Sequence, residues 1–213
     1  MVVEAAHLRA DAQRNLERIL EAAHVVFAER GLDASVSEIA ERAGVGTATI
    51  FRRFPTKDDL VEATLERVLV SFEARAVAAA ESDDPAAAIG EFMAWVVQRF
   101  IEDRCLCDTS GGLFFVRPRM QELTGRVTEA VELLLKRAQD EGAIRQDVVA
   151  EDLGFLLGAV GRSGIALERT APGAWRRYVG IVLDGLRPAG ATPLERRPPT
   201  PQQLHDAKTQ SPL

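Results

Sequence analysis

The chain has 213 residues, 46% of them hydrophobic, and a formal net charge of −6 from 26 Lys and Arg against 32 Asp and Glu. This length suits one compact domain or two small ones, and the absence of an apolar run of 18 residues or more excludes a membrane-spanning helix. Two cysteines are too few for a disulfide framework, the first residues lack the pattern of a secretory signal, and the acidic balance at first argues against a nucleic-acid partner.

Alanine, leucine, glutamate and arginine dominate the chain, and no stretch shows sustained alternation of β-branched residues, which predicts an all-α protein. Capping residues and Gly or Pro stops place the helix ends. In chain order we expect helices from about Asp11 to Arg30, after the S-x-x-E capping box Ser35–Glu38, from about Thr47 to Arg53, from Thr56 to about Glu81, from Pro85 to Asp103, from Pro118 to about Glu141, from near Ala150 and from Pro172. Residues 104–116 are expected to be looser, and the proline-rich residues 188–213 to be a disordered tail.

The most informative segment is 35–54, SVSEIAERAGVGTATIFRRF. Two short helices joined by a turn at Gly44, after a longer support helix, have the sequence form of a helix-turn-helix, whose second helix enters the DNA major groove. Thr47, Ala48 and Thr49 are small or carry hydroxyl groups, so that the backbone can approach base edges closely. Two arginines follow one turn later.

These residues resemble the TetR (tetracycline-repressor-like) family of bacterial transcriptional regulators. The resemblance is carried by ILEAAHVVFAERG, SVSEIAERAGV and TIFRRFPTKDDL, within about residues 14–65. It implies a DNA-binding domain over residues 11–72, joined by a linking helix to a helical ligand-binding and dimerisation domain over residues 73–187. It also implies a cytoplasmic homodimer that represses transcription from a palindromic double-stranded DNA operator until a small-molecule effector releases it, with no cofactor and no membrane partner.

Residue by residue, the resemblance assigns base-edge contacts to the start of the third helix and to Arg53, and phosphate contacts to Ser35 and Lys57, while Arg52 could do either. The family commonly has Tyr where this chain has Phe51, whose ring can pack but offers no hydroxyl to a phosphate. Near Leu16, where the family often has a basic residue, Arg14 or Arg18 can replace it. The predicted DNA contacts are Ser35, Ser37, Thr47, Ala48, Thr49, Phe51, Arg52, Arg53 and Lys57.

The distribution of charge along the chain changes how the net charge is interpreted. Between Arg42 and Lys57 there are four cations and no acid. Phosphates respond to charges within a Debye length rather than to the sum over the chain. The net charge therefore does not exclude DNA, although Arg42 taken alone is as consistent with a solvated surface as with a phosphate contact.

The large apolar residues of the C-terminal half can be read as core packing, which we favour for most of them, or as the lining of a ligand cavity between helices. The resemblance implies such a cavity without locating it. Arg162, amid apolar residues, either anchors an anionic ligand or pairs with an acid at a dimer interface. The residues expected to line the cavity are Phe72, Phe92, Trp95, Met120, Leu123 and Arg162.

Glycine is costly inside a helix, so the four glycines of the penultimate helix predict close helix–helix approach. In the TetR family the last two helices form a four-helix dimer interface, one pair from each subunit. The alternative is that the same apolar stripe packs inside one subunit. The expected interface residues are Gly158, Trp175, Tyr178, Val182 and Leu186.

Cys105 and Cys107 are read as ordinary reduced thiols, with a redox switch as the alternative. Three scattered histidines do not complete a metal site, and no paired carboxylate, nucleophile elbow or phosphate loop indicates an enzyme. The competing functions are redox sensing by the C-terminal half, an all-helical small-molecule carrier or enzyme, and a non-specific architectural DNA binder.

Overall fold

The computed structural model describes the backbone of residues 2–10 and the whole of residues 11–109, 117–200, 203–204 and 206–207. Over residues 2–109 and 117–200 it contains nine α-helices, a 3-10 turn at Gly31–Asp33 and no strand, which confirms the all-α prediction. The helices are α1 Val2–Arg30, α2 Val36–Ala43, α3 Thr47–Arg53, α4 Lys57–Ala80, α5 Pro85–Glu102, α6 Arg104–Thr109, α7 Pro118–Asp140, α8 Ala150–Glu168 and α9 Trp175–Gly185.

Two helix starts differ from the sequence prediction. α1 begins at Val2 rather than near Asp11, because VVEAAHLRA consists mostly of good helix formers and contains no breaker. α9 begins at Trp175 rather than at Pro172, because Gly173 adopts a φ of +76°, which an α-helix cannot contain.

Part of the segment expected to be loose is the short helix α6. Asp103 starts it, because its carboxylate accepts a hydrogen bond from the Leu106 N–H at 2.9 Å, as a helix N-cap does. The rest of the segment, residues 110–116, lies outside the described residues.

α1 packs against α2 and α4, and α2 packs against α3, which forms a three-helix unit. In the C-terminal part, α4 packs against α7, α5 against α8 and α9, and α8 against α9. Buried apolar side chains from Ile19 to Leu186 form one continuous core, so the two halves share their interior.

A row of ion pairs runs along the α4–α7 contact. In each pair an arginine of α7, or of the residue just before it, meets a glutamate of α4. The pairs are Arg117–Glu62 at 2.5 Å, Arg119–Glu66 at 3.5 Å and Arg126–Glu73 at 2.7 Å. These ion pairs help to fix how α4 and α7 are aligned along their apolar contact.

α6 contacts the N-terminal unit directly at the 3-10 turn. The Asp108 carboxylate accepts from the Leu32 N–H at 3.4 Å, and Arg104 pairs with Asp33 at 3.3 Å. A Cβ on Gly31 would lie 2.1 Å from a carboxylate oxygen of Asp108. The C-terminal part therefore packs closely against the end of α1 through α6.

The glycines of α8 divide into two sets. A Cβ on Gly161 would lie 2.4 Å from the Cβ of Phe100, and one on Gly164 would lie 2.6 Å from Cδ1 of Ile101. Gly154 and Gly158 have nothing within 4 Å of such a Cβ. The predicted close approach is thus confirmed for two of the four glycines, and it occurs against α5 of the same chain.

Residues 188–200 contain no helix and are exposed, but they are tied to the loop between α7 and α8. The Arg145 guanidinium, held by Asp147 at 2.6 Å, donates to the Thr192 carbonyl. Disorder of the whole tail stays a prediction. No helix among the described residues combines the length and the apolar content needed to cross a bilayer.

Candidate nucleic-acid interface

The turn between α2 and α3 is built as the sequence predicts. The Ser35 hydroxyl accepts from the Glu38 N–H at 3.2 Å, and a Glu38 carboxylate oxygen accepts from the Ser35 N–H at 2.8 Å, which completes the capping box. Gly44 adopts the left-handed conformation, φ +64° and ψ +39°, and its N–H donates to the last turn of α2. Only a residue without a Cβ adopts this conformation at no cost, so Gly44 sets the angle between the two helices.

α3 is anchored from its inner side. Ile50 is 1% exposed and Phe54 is buried, and both join the core formed with α1, α2 and α4. Arg18 of α1 donates from its guanidinium to the Ala43 carbonyl at 2.5 Å, which ties the end of α2 to α1. The sequence offers Arg18 as one replacement for the basic residue that the family often has near Leu16, and in the structure Arg18 holds the two helices together.

The outer side of α3 carries the predicted base-edge residues. Thr47, Ala48, Arg52 and Arg53 are exposed, and Thr49 is half-buried. The ring of Phe51 is 46% exposed, so it packs less than expected and leaves an apolar surface beside the arginines. A seven-residue helix with small side chains at its start and arginines at its end matches the shape of a major-groove reader.

The three remaining predicted contacts lie outside α3. Ser37 is exposed on the first turn of α2. The Ser35 hydroxyl is held by Glu38, and the Lys57 ammonium donates to the Leu32 carbonyl. An ammonium has three N–H groups, so Lys57 keeps donors for a phosphate while it fixes the 3-10 turn.

Three of the acids that flank this surface, Glu38, Asp58 and Asp59, are engaged within the protein. Glu38 pairs with Arg30 at 3.4 Å, and Asp58 pairs with Arg117 at 3.5 Å. Hydrogen bonds from the Ser35 N–H and hydroxyl hold the pKa of Glu38 below its usual value, and those from the Thr56 hydroxyl and N–H do the same for Asp59.

Three cations lie exposed between these acids. Among the described residues, Arg42, Arg52 and Arg53 are exposed and have no ion-pair partner. These unpaired cations therefore contribute strongly to the local field at α3, because most of the flanking acids already have partners.

The aromatic residues predicted to line a ligand cavity come together in the C-terminal part. Phe72 meets Trp95 edge to face with ring centroids 4.9 Å apart, and Phe92 stacks with Trp95 at 6.4 Å. Met120 and Leu123 of α7 are fully buried. Phe72, Phe92, Met120 and Leu123 are part of the core, as our favoured interpretation has it, and the half-buried Trp95 packs against it. Arg162 is exposed on α8.

The residues predicted for a dimer interface do not all share one face. Trp175 and Leu186 are 2% and 4% exposed and pack inside their own protomer. Tyr178 is exposed, and Val182 and Gly158 are half-buried. Two residues that sequence reasoning missed, Phe155 at 76% exposure and Ile181 at 55%, extend the outward apolar surface.

The exposure of both residues could have been predicted from the sequence. Phe155 and Ile181 lie off the inward stripes of α8 and α9, where a polar residue is the usual choice. An apolar residue off the stripe therefore indicates apolar surface that faces away from the protomer's own core.

The two cysteines lie inside the protein. Burial raises the pKa of Cys105 to about 12, and burial raises that of Cys107 as well. Since the thiolate is the reactive form, neither thiol has the exposed, acidic character of a redox sensor. No group of three or more His, Cys, Asp or Glu side chains in the described part of the chain is arranged to hold a metal ion.

Known proteins share both halves of the chain. The family model for bacterial regulatory proteins of the tetR family matches residues 19–64, and the model for the C-terminal domain of SbtR-like transcriptional regulators matches residues 84–188. An HTH-type transcriptional regulator of Staphylococcus aureus is 39% identical over 66 residues, 30% of this chain. The match spans 36% of that relative's length, little more than a third.

Solved structures extend the likeness to most of the chain. A TetR transcription regulatory protein from Mycobacterium vanbaalenii is 33% identical, with a TM-score of 0.61 over 84% of this chain and 99% of that one. A TetR regulator from Streptomyces coelicolor is 28% identical, with a TM-score of 0.61 over 82% and 99%. With the helix-turn-helix in place and both family models matched, the chain belongs to the TetR family of DNA-binding transcriptional regulators, and these relatives are regulators rather than enzymes.

Proposed function

We propose that the protein is a homodimeric repressor that binds a palindromic operator through α3 and releases it when a small-molecule effector binds the C-terminal part. The observation that carries the proposal is the outer side of α3, where Thr47, Ala48, Arg52 and Arg53 are exposed over a buried Ile50. Small residues followed by cations suit base edges and phosphates together. Ser35, Ser37, Thr49, Phe51 and Lys57 complete the proposed contact surface.

Dimerisation is supported by the outward face of α8 and α9. Phe155, Tyr178 and Ile181 are exposed there, and Gly154 and Gly158 leave room for close approach by a second helix. An apolar face of this kind is typical of an interface rather than of a monomer's surface. A two-fold axis through it would set two copies of α3 about 34–36 Å apart, the spacing of successive major grooves.

Release by an effector is supported by the contacts that join the two halves. α4 belongs to both, and α6 contacts the 3-10 turn through Asp108 and Arg104. A ligand that binds more tightly to a conformation with a different α3 spacing lowers the affinity for DNA. The loss of DNA-binding free energy cannot exceed the difference between the ligand's binding free energies for the two conformations. The effector domain in this proposal is residues 73–187, the reader is residues 11–72 and the protein works in the cytoplasm, where its DNA is.

The alternatives receive less support. Buried thiols with raised pKa values disfavour redox sensing by Cys105 and Cys107. The exposed pair Arg52 and Arg53 on α3, just after the turn of a helix-turn-helix, is not expected in a carrier or an enzyme. A non-specific architectural DNA binder remains distinguishable by competition.

Selection of bound fragments from random DNA with the purified full chain tests the proposal. We expect a palindromic site that is bound at least about 10³-fold more tightly than unrelated DNA. The triple change Arg52→Ala, Arg53→Ala and Lys57→Ala should abolish the enrichment. A selection without a palindrome argues against a dimeric operator complex, and unchanged DNA affinity of the triple variant at low salt argues against α3 as the reader.

A further inference from the structure

The backbone of Leu32, in the 3-10 turn that follows α1, is held from two sides by residues that are distant in the chain. The Asp108 carboxylate of α6 accepts a hydrogen bond from the Leu32 N–H at 3.4 Å. The ammonium of Lys57, the first residue of α4, donates to the Leu32 carbonyl. Leu32 therefore connects the C-terminal part to a cation of the proposed DNA contact surface.

The α6 side of this connection is closely packed. Gly31 is buried with a φ of +61°, and a Cβ there would lie 3.0 Å from Cγ of Arg104 and closer still to the Asp108 carboxylate. Nε of Arg104 lies 3.7 Å from Oδ2 of Asp108, and its guanidinium pairs with Asp33 at 3.3 Å. These contacts leave the Asp108 carboxylate little freedom, so that it holds the Leu32 N–H in a defined position.

Lys57 occupies an unusual place for a cation. The N-terminal end of a helix carries partial positive charge, which disfavours a lysine at the first position of α4. The side chain of Lys57 is half-buried, and it has no ion-pair partner among the described residues. The Leu32 carbonyl is therefore what orients the ammonium.

We propose that Asp108 is a positioning residue for the phosphate contact of Lys57, and that it acts through the backbone of Leu32. Asp108 holds the N–H of Leu32, and the carbonyl of the same residue holds the Lys57 ammonium. The ammonium then meets a DNA phosphate with its remaining donors. This inference rests on the proposed DNA contact of Lys57, and it names the residue of the C-terminal part that controls that contact.

Positioning of this kind favours DNA binding, because a lysine that is already ordered loses less entropy when it meets a phosphate than a freely rotating one does. The charge of Asp108 acts in the opposite direction. A carboxylate repels the phosphates, so its removal should strengthen binding to a polyanion. The sign of the effect of Asp108 on DNA affinity therefore separates positioning from simple electrostatics.

The same connection gives effector release a second route. A shift of α6 that draws Asp108 away from the 3-10 turn frees the Leu32 backbone and, with it, the Lys57 ammonium. The DNA surface then keeps its charge but loses the order of one phosphate contact. This loss adds to any change in the spacing of the two copies of α3.

Two variants with the same charge isolate the hydrogen bond. Asp108→Asn and Asp108→Ala both remove the carboxylate charge, but only Asn keeps an oxygen that can accept from the Leu32 N–H. Because phosphate contacts do not depend on sequence, a fluorescein-labelled DNA duplex of mixed sequence serves as the probe. We expect Asp108→Ala in the full chain to bind it about three- to tenfold more weakly at low salt, and Asp108→Asn to stay within about twofold of the original protein. Equal fluorescence anisotropy titrations for the two variants would overturn the proposal.

The matched control is Asp33→Ala. It removes an exposed acid from the same turn, and this acid pairs with Arg104 but does not hold the Leu32 N–H. Its DNA affinity should be unchanged or higher, because only a repulsive charge is lost. A loss as large as that of Asp108→Ala would show that any change at this turn weakens binding, and it would reject the specific role of Asp108.

A double-mutant cycle with Lys57 identifies the route. In a chain that already carries Lys57→Ala, the further change Asp108→Ala should alter DNA affinity by less than about twofold, since no ammonium is left to position. Additive losses contradict the proposal and leave the Lys57 contact in place, and a damaged fold gives additive losses as well. If Lys57→Ala alone does not change the affinity, the phosphate contact and the positioning role fail together.

Discussion

Gly161 of α8 lies so close to Phe100 of α5 that a Cβ at position 161 would come within 2.4 Å of the Phe100 Cβ. We predict that Gly161→Ala destabilises the protein by about 1–3 kcal/mol, because the two helices must move apart to admit the methyl group. Urea unfolding measures the effect at a fixed protein concentration. The control is Gly125→Ala in α7, where nothing lies within 4 Å and helix propensity should add up to about 1 kcal/mol. Equal effects at the two positions contradict the packing explanation.

The outward face of α8 and α9 predicts the behaviour of the oligomer. Phe155→Glu with Ile181→Glu should convert a dimer into monomers, because two charges would be buried without partners. Sedimentation velocity at micromolar concentration is the measurement. Val70→Glu on α4, an equally apolar exposed position, should leave the dimer intact. If the double variant sediments like the original protein, the interface lies elsewhere.

Arg53 and Lys57 are predicted to contribute to DNA binding in different ways. Arg53→Ala should cost about 1–3 kcal/mol on the preferred site and relax the preference at one base pair. Lys57→Ala should weaken binding to all sequences alike and reduce the slope of log affinity against log salt by about 0.9. Fluorescence anisotropy at several salt concentrations separates the two effects. Lys136→Ala on α7 serves as the control, and a sequence-independent loss at Arg53 would make it a phosphate contact instead.

The burial of the two thiols predicts slow chemistry. Cys105 and Cys107 should react with a disulfide reagent at least about a hundredfold more slowly in the native protein than in guanidinium chloride, because burial keeps them protonated and out of reach. Absorbance of the released thiolate follows the reaction. Rapid native modification that also changes DNA binding would restore the redox alternative.

Asp103 predicts a pH dependence of stability with a definite sign. Burial raises its pKa above that in the unfolded chain, against the N–H groups of Leu106 and Cys105 and the charges of His24 and Arg99, which lower it. The native state therefore holds this proton more tightly, and its contribution is full below the unfolded pKa and is lost as pH rises through the folded pKa.

The variant Asp103→Asn isolates that contribution. The stability of the variant relative to the original protein should increase as the pH rises from the usual range of aspartate toward neutrality. Urea unfolding midpoints of both proteins over that range measure it. A relative stability that is flat or falls with pH contradicts a raised pKa.

The sequence predicted most of the N-terminal unit because its signals are local. The capping box at Ser35–Glu38, the left-handed Gly44 and the start of α4 after Thr56 depend on residues a few positions apart. Whether Trp175 and Leu186 point into the protomer or away from it depends on how α9 packs against α5 and α8. No local sequence pattern determines that packing. The sequence predicts that both residues face a partner subunit, whereas both are buried within the protomer.

The groove lined by Val25, Val68 and Leu106 shows the same limit. Val25, Val68 and Leu106 come from three helices that are far apart in the chain, and nothing in the spacing of any one helix indicates that they meet. The sequence shows that Arg18 is a cation, but its bond to the Ala43 carbonyl depends on the packing of α1 on α2.

Leu65, Val68 and Leu69 belong to the stretch of α4 that neither family model covers, yet all three are buried in the shared interior. A reader domain and an effector domain that meet in this way cannot be exchanged between proteins as independent cassettes. Any new C-terminal half would have to fit the same few side chains, and a chain cut after Phe72 would expose them to water. The second half of α4 therefore constrains which effector domains this reader can acquire during evolution.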